Sequence, residues 1–234
     1  MLQKFLDCSV VVTGRSGCGK SILARAVASL RPHGLVIDSV GDFRMGKPIR
    51  DIREIANVCA GGWWSIPVGL VEHPEATVRA AVGFIKRVGI RGLLPKPYTV
   101  VVEEADVYGG PAWNMQELTE LSNFGRHFQC TTIINAHAIS SCPKTWFVNA
   151  GIVLYGFTGD FTDLKNIEKR LGPEDFSTYK YEIRDFLFLA KDTCGDASLM
   201  WYAPNDKQIC EKRIERGETS HGRNAESSVK GQHR

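Results

Sequence analysis

The sequence has no CxxC pair, and its seven cysteines, at positions 8, 18, 59, 130, 142, 194 and 210, are odd in number and evenly scattered. That excludes a disulfide scaffold and a metal knuckle and fits a reducing compartment. No uninterrupted apolar run approaches the ~20 residues of a membrane span. The first residues, Met1 to Asp7, carry charge and lead straight into an apolar run, so no signal peptide is expected and the chain reads as soluble. There is no internal repeat, and no strong charge of one sign. Twenty-nine Lys and Arg stand against 26 Asp and Glu, a net +3 that makes no bulk case for nucleic acid yet leaves room for a local basic surface. What is there is ordinary for a globular protein: 234 residues, 43% hydrophobic and 24% charged, enough for one large α/β domain or at most two small ones.

Cys8 to Ser21, CSVVVTGRSGCGKS, is the most informative stretch. A β-branched run, Ser9 to Thr13, enters Gly14-Arg15-Ser16-Gly17-Cys18-Gly19-Lys20-Ser21, the pattern GxxxxGK(S/T). Glycines let the backbone curl so that successive N–H groups face an anion. Lys20 can reach the β- and γ-phosphates, and the Ser21 hydroxyl can ligate Mg²⁺. The helix-forming SILARAVASLR follows and adds the positive end of its dipole. Strand before and helix after are the context that a phosphate-binding loop requires. Cys18 reads as a small residue of the loop, with redox sensitivity the alternative.

Further on, Leu35 to Ile37 reads as a second buried strand ending in Asp38-Ser39-Val40-Gly41-Asp42. Asp38 either faces a ligand at the strand's C-terminal end or caps the next turn. Arg50 to Cys59 has helical spacing, and Trp63 to Val71 looks extended. Its paired tryptophans could stack on bases, though core or interface packing is the simpler reading. Glu75 to Val88 is an amphipathic helix, followed by a basic connection with Lys86, Arg87, Arg91 and Lys96, either a solvated loop or a phosphate contact. Later come a helix from Met115 to Phe124, a strand from Thr131 to Asn135, a strand from Ile152 to Phe157 and a helix from Thr162 to Leu171 stopped by Gly172-Pro173. A closing hairpin spans Phe186 to Ala190 and Ser198 to Ala203. The expected folded domain is residues 1–204, and 205–234 reads as a flexible, mildly basic tail with too few apolar residues to fold.

The second informative stretch is Tyr98 to Asp106, YTVVVEEAD. A continuous β-branched run belongs to a strand buried on both faces of a parallel sheet. It delivers two carboxylates at its C-terminal end, where ATP hydrolysis needs one acid for the metal and one for the attacking water. Neighbouring strand residues point to opposite faces, which assigns Glu103, with Ser21, to the metal and Glu104 to the base. His137, just after the Thr131–Asn135 strand, is either a sensor of the γ-phosphate or a structural histidine.

These landmarks in this order resemble the FtsK–HerA superfamily of P-loop ATPases, most of all the small genome-packaging ATPases of membrane-containing tailless (tectivirus-like) viruses. LVIDSVGDF is similar to the family's second-strand motif and VVVEEAD to its acidic strand. GRHFQCTTIINAHAISSCPK is similar to the segment that leads to the sensor strand, and NAGIVLYGFTGDFTDLKNIEKRLG to the strand and helix after it. Two positions depart: Glu103 stands where the family has Asp, and His137 where it has Gln. The resemblance implies a RecA-like α/β fold with a mostly parallel central sheet flanked by helices, and the hairpin at its C-terminal end. It also implies ATP and Mg²⁺ as cofactors and a homo-oligomeric ring, a hexamer, around double-stranded DNA. Arg126 would be an arginine finger in the neighbour's site, beside Lys20, Glu103, Glu104 and His137 as catalytic residues. Capsid or viral membrane proteins would be further partners, in the host cytoplasm or the virion. Chain length favours packaging over segregation or conjugation, whose proteins usually carry anchors or extra domains. Two alternatives stay open: a P-loop small-molecule kinase, and a nucleotide-gated assembly or secretion factor that pumps no DNA.

Overall fold

Runs of β-branched residues build the centre of the sheet. Val10–Thr13 (β1), Tyr98–Val102 (β5) and Cys130–Ala136 (β6) are buried at every position, as strands covered on both faces must be. Alternate residues feed two cores. Val11, Leu35, Ile37, Val100, Val102 and Ile134 pack on one face, and Val10, Val12, Val36, Val101 and Ile133 on the other. The computed structural model describes residues 5, 7–41, 43–109 and 116–214. Asp42, Met115 and the tail beyond Ile214 lie outside them.

The remaining strands are β2 (His33–Asp38), β3 (Lys47–Pro48), β4 (Trp63–Pro67), β7 (Ile152–Tyr155), β8 (Phe188–Asp192), β9 (Ala197–Ala203) and β10 (Gln208–Arg213). One ten-stranded sheet results, in the order β10-β9-β8-β7-β1-β6-β5-β2-β4-β3. The seven strands from β7 to β3 are mutually parallel, and β8, β9 and β10 continue the sheet antiparallel. Helix α1 (Lys20–Ser29) buries Leu23, Ala24, Val27 and Ala28 on one face of the sheet. The other face is covered mainly by α2 (Pro74–Ile90), α4 (Gln116–Phe124), α5 (Lys144–Asn149), α6 (Phe161–Leu171) and α7 (Pro173–Glu182). A short α3 (Ala105–Gly109) follows β5 directly. Since β1, β6, β5 and β2 are adjacent and parallel, the chain leaves all four at one edge of the sheet, where a parallel α/β fold places its ligand.

Four local expectations change. Residues Ile52–Ala60 wind as a 3₁₀ helix, and the extended stretch from Trp63 ends at Pro67, with a 3₁₀ turn over Val68–Leu70. Gly172-Pro173 stops α6 and starts α7 at once, because proline is preformed for a helix's first turn. The tryptophans are packing residues: both are half-buried, and their indole N–H groups donate to the Arg31 and Gly61 carbonyls. Gly34 makes room for Trp63, since a Cβ there would lie 2.5 Å from its ring.

The fourth change adds a strand beyond Pro204. Residues 205–213 do not leave the domain at Pro204: they turn back, and Gln208–Arg213 pairs antiparallel with β9, turning the expected hairpin into a three-stranded meander. One buried apolar residue anchors it, Ile209, which is 9% exposed and packs with the α1-side core. Ile209→Ala should therefore cost about 2 kcal/mol, the low end for a buried aliphatic truncation because the strand is at an edge. Urea denaturation checks this, and an unchanged midpoint would return residues 205–213 to the tail.

Candidate nucleotide site

The edge where β1, β6, β5 and β2 end carries a cavity of about 370 Å³. Its floor is the phosphate loop. Between β1 and α1 the chain passes through positive φ at Gly14 (144°), Gly17 (80°) and Gly19 (92°), conformations that side chains with a Cβ rarely adopt. At Gly14 a Cβ would also stand 3.0 Å from the backbone of Gly156. Ser16, Gly17, Gly19, Lys20 and Ser21 line the cavity. Gly14, Arg15 and Cys18 do not. Arg15 turns outward to pair with Asp185 at 2.8 Å and lies over the Phe157 ring. The Cys18 side chain is buried, which pushes its thiol pKa up and makes it a packing residue.

Lys20 opens α1 almost fully buried, with its ammonium donating to the Arg15 carbonyl at 2.8 Å. Burial pushes its pKa down, against the pull of nearby groups that include the Glu103, Glu104 and Asp106 carboxylates. Ser21 Oγ donates to Glu103 at 3.1 Å, so the hydroxyl and the first carboxylate meet across 82 residues of sequence. Glu103 itself is 5% exposed, and the Asn135 amide donates to both its oxygens, at 2.9 and 2.8 Å, and to Ser21 Oγ at 3.3 Å.

The two acids do not divide between sheet faces. β5 ends at Val102, Glu103 and Glu104 form a turn, and Glu104 has a left-handed backbone with φ 49°. Both carboxylates consequently line the same cavity. The strand-alternation argument fails because neither residue is in the strand. Their environments still separate them: Glu103 is held by hydrogen bonds, whereas the half-buried Glu104 has no side-chain hydrogen bond or ion pair among the described residues. A non-glycine residue held at positive φ costs on the order of 1–3 kcal/mol, and such positions cluster at functional sites.

His137 lines the cavity too. Its backbone N–H donates to Asp106 Oδ1 at 3.1 Å, and its ring Nδ1 lies 3.6 Å from the same oxygen. Burial would raise the Asp106 pKa, but the hydrogen bonds from His137 outweigh it and hold the carboxyl below its ordinary value. Asp38 realises both of its readings: its carboxylate accepts from the N–H groups of Gly41 and Phe43, capping the turn, and it lines the cavity. Arg126 is elsewhere. It is exposed in the 3₁₀ turn Gly125–Phe128 before β6, and the seven residues of that strand separate it from the cavity by about 20 Å.

Four cavity residues, Ile22, Val40, Asn135 and Phe186, have no assigned role in the motif reading, and two of them bear on the site's chemistry. Asn135 was legible in principle, as the last polar residue of an apolar strand and, at i−2, on the same face as His137. Phe186 was not, because its sequence neighbours carry no such signal. It reaches Gly19 through the link between α7 and β8, where its N–H donates to the Cys18 carbonyl at 2.9 Å.

The donor set fits a Mg²⁺ ion. Among the described residues no three His, Cys, Asp or Glu side chains form a metal-binding group, and Mg²⁺ does not need one: it takes one or two protein oxygens, substrate phosphates and several waters. Ser21 Oγ and Glu103 are such oxygens, and the buried Asn135 Oδ1, an acceptor without a partner, is suited to a donor from a bound water.

Loop, acidic turn and polar strand end at the edge of a parallel sheet define the fold of a P-loop ATPase. Similar solved structures carry it further. The genome packaging NTPase B204 from Sulfolobus turreted icosahedral virus 2, in complex with ATP-gammaS, superposes with TM-score 0.58 and 16% identity over 88% of this chain and 96% of that one. VirB4 of Thermoanaerobacter pseudethanolicus gives 0.57 and 10% over 91% and 90%. Thermomonospora curvata EccC (ATPases 2 and 3), in complex with a signal sequence peptide, gives 0.52 and 12% over 90% of this chain and 38% of that one. The chain shares its fold with these structures, a mixed α/β architecture with a large, mostly parallel central sheet flanked by helices, as the motif resemblance implied. No protein-family model matches the sequence, and no curated protein does. Among the described residues no helix is long and apolar enough to cross a membrane.

Proposed function

We propose that the protein is an ATP-hydrolysing translocase of double-stranded DNA, acting as a viral genome-packaging motor. The observation that carries the hydrolytic part is the joining of Ser21, Glu103 and Asn135 beside a free Glu104 over one phosphate loop. Backbone N–H groups of residues 14–21 and the Lys20 ammonium hold the triphosphate. Ser21 and Glu103 would hold Mg²⁺, which when bound would supply positive charge to stabilise the phosphates. Glu104 orients the attacking water and accepts its proton, and His137, steadied by Asp106, contacts the γ-phosphate or that water. The DNA part rests on the likeness to a packaging NTPase at nearly full length of both chains. Fold alone does not select the polymer, since EccC in complex with a peptide is similar as well.

Arg126 lies at the opposite sheet edge from its own cavity, in a turn that packs against α2, and Arg87, Arg91 and Lys96 are exposed. That position supports an arginine finger that serves a neighbour's nucleotide in a ring, a hexamer on the motif resemblance, working in the host cytoplasm or the virion. The test is ATP turnover with and without double-stranded DNA. Stimulation of about tenfold or more is expected. Turnover indifferent to DNA would remove translocation, and phosphate appearing on a small acceptor would favour a kinase.

A further inference from the structure

A second cavity, of about 280 Å³, opens beside the first and shares Gly19, Ile22 and Phe186 with it. Its other walls are Leu23, Phe188, Tyr202 and Pro204. Leu23 and Phe188 are buried core residues, so the floor is fixed. Ile22 and Phe186 are 43% and 53% exposed, large apolar groups facing water next to a polar phosphate site. Among the described residues the only hydrogen-bonding side-chain group in the lining is the Tyr202 hydroxyl.

Phe186 is held there by its surroundings. It has φ 66°, uncommon for a bulky aromatic residue. Its N–H is bonded to the Cys18 carbonyl, and the preceding residue, Asp185, accepts two hydrogen bonds from Arg15, at 3.1 and 2.8 Å. The ring sits against Gly19 so closely that a Cβ on that glycine would lie 2.6 Å from it. The phosphate loop therefore carries its own aromatic wall, latched at Arg15, Cys18 and Gly19.

We infer that this second cavity takes the purine base of the nucleoside triphosphate, held by stacking and shape and not by hydrogen bonds to its edge. The inference rests on the nucleotide reading of the phosphate loop and deepens it. Base–aromatic stacking is indifferent to exocyclic groups because every base has a π face. One hydroxyl, able to donate or accept, meets the edge of adenine or guanine equally well. The site thus accepts ATP and GTP alike and disfavours the smaller pyrimidines, and the selectivity lies in residues of the C-terminal meander and the link before it, outside the phosphate-loop motif.

Calorimetric titration with non-hydrolysable ATP, GTP and CTP analogues and with tripolyphosphate tests this in wild type, Phe186→Ala and Phe186→Tyr. In wild type the two purine nucleotides should bind within about threefold of each other and about tenfold more tightly than CTP or tripolyphosphate. Phe186→Ala should lower purine affinity about tenfold and leave tripolyphosphate affinity unchanged, and Phe186→Tyr should restore it. Equal weakening of all four ligands by Phe186→Ala would make the ring a support of the loop and overturn the base site. Unchanged purine affinity, or a wild-type preference for ATP over GTP of thirtyfold or more, would overturn it too. Wild-type protein that binds tripolyphosphate as well as it binds nucleotides would sink the base site alone. Wild-type protein that binds none of the four would sink the nucleotide reading itself.

Discussion

Glu104→Gln should hydrolyse ATP at least ~100-fold more slowly than wild type while binding it with little change. A positioned general base contributes roughly 10²- to 10⁴-fold, and an amide cannot accept the proton. The substitution keeps the side chain's size, and among the described residues no hydrogen bond holds the carboxylate in place, so the fold has no reason to respond. Glu103 behaves differently because its oxygens are shared with Ser21 and Asn135. Changing it should disturb that cluster and metal affinity together. Single-turnover hydrolysis alongside equilibrium binding separates the two acids. Turnover within threefold of wild type in Glu104→Gln would remove it as the base.

Arg126→Ala should lower turnover by about 10³-fold, the lower range for an arginine finger, without altering the nucleotide affinity of its own subunit. That combination follows from position. The guanidinium is exposed and separated from the cavity by the length of β6, so a loss of turnover has to pass through a neighbour. Mixing Arg126→Ala with Lys20→Ala subunits discriminates. Some interfaces in a mixed ring pair an intact loop with an intact arginine, and part of the turnover should return. Absence of recovery beyond the separate variants, with mixing verified by native mass spectrometry, would count against the finger.

Much of the fold was legible because buried parallel strands announce themselves: SVVVT, LVI, YTVVV and TTIIN are apolar or β-branched runs, and all fall in the sheet. The phosphate loop was legible for a related reason. Its glycines answer a backbone requirement, and the positive φ at Gly14, Gly17 and Gly19 is that requirement met. What escaped depends on contacts far apart in sequence. A strand ending at Val102, two residues early, brings Glu103 and Glu104 to one cavity, and periodicity cannot fix a strand end to that precision. Phe186 reaches Gly19 through Arg15 and Asp185, 170 residues apart. β10 rests on one buried isoleucine in a polar segment, too little for a composition argument to detect. Asp106 shows the middle case: it was read as part of the acidic run, but its work of orienting His137 needs α3 to bring it beneath the end of β6.

The most direct test of DNA translocation is ATP-driven displacement of a third strand bound to a duplex. Wild-type protein should strip a triplex-forming oligonucleotide from double-stranded DNA when ATP and Mg²⁺ are present, and Glu104→Gln should bind the same DNA and strip nothing. A wild-type protein that hydrolyses ATP but leaves the third strand in place would contradict translocation.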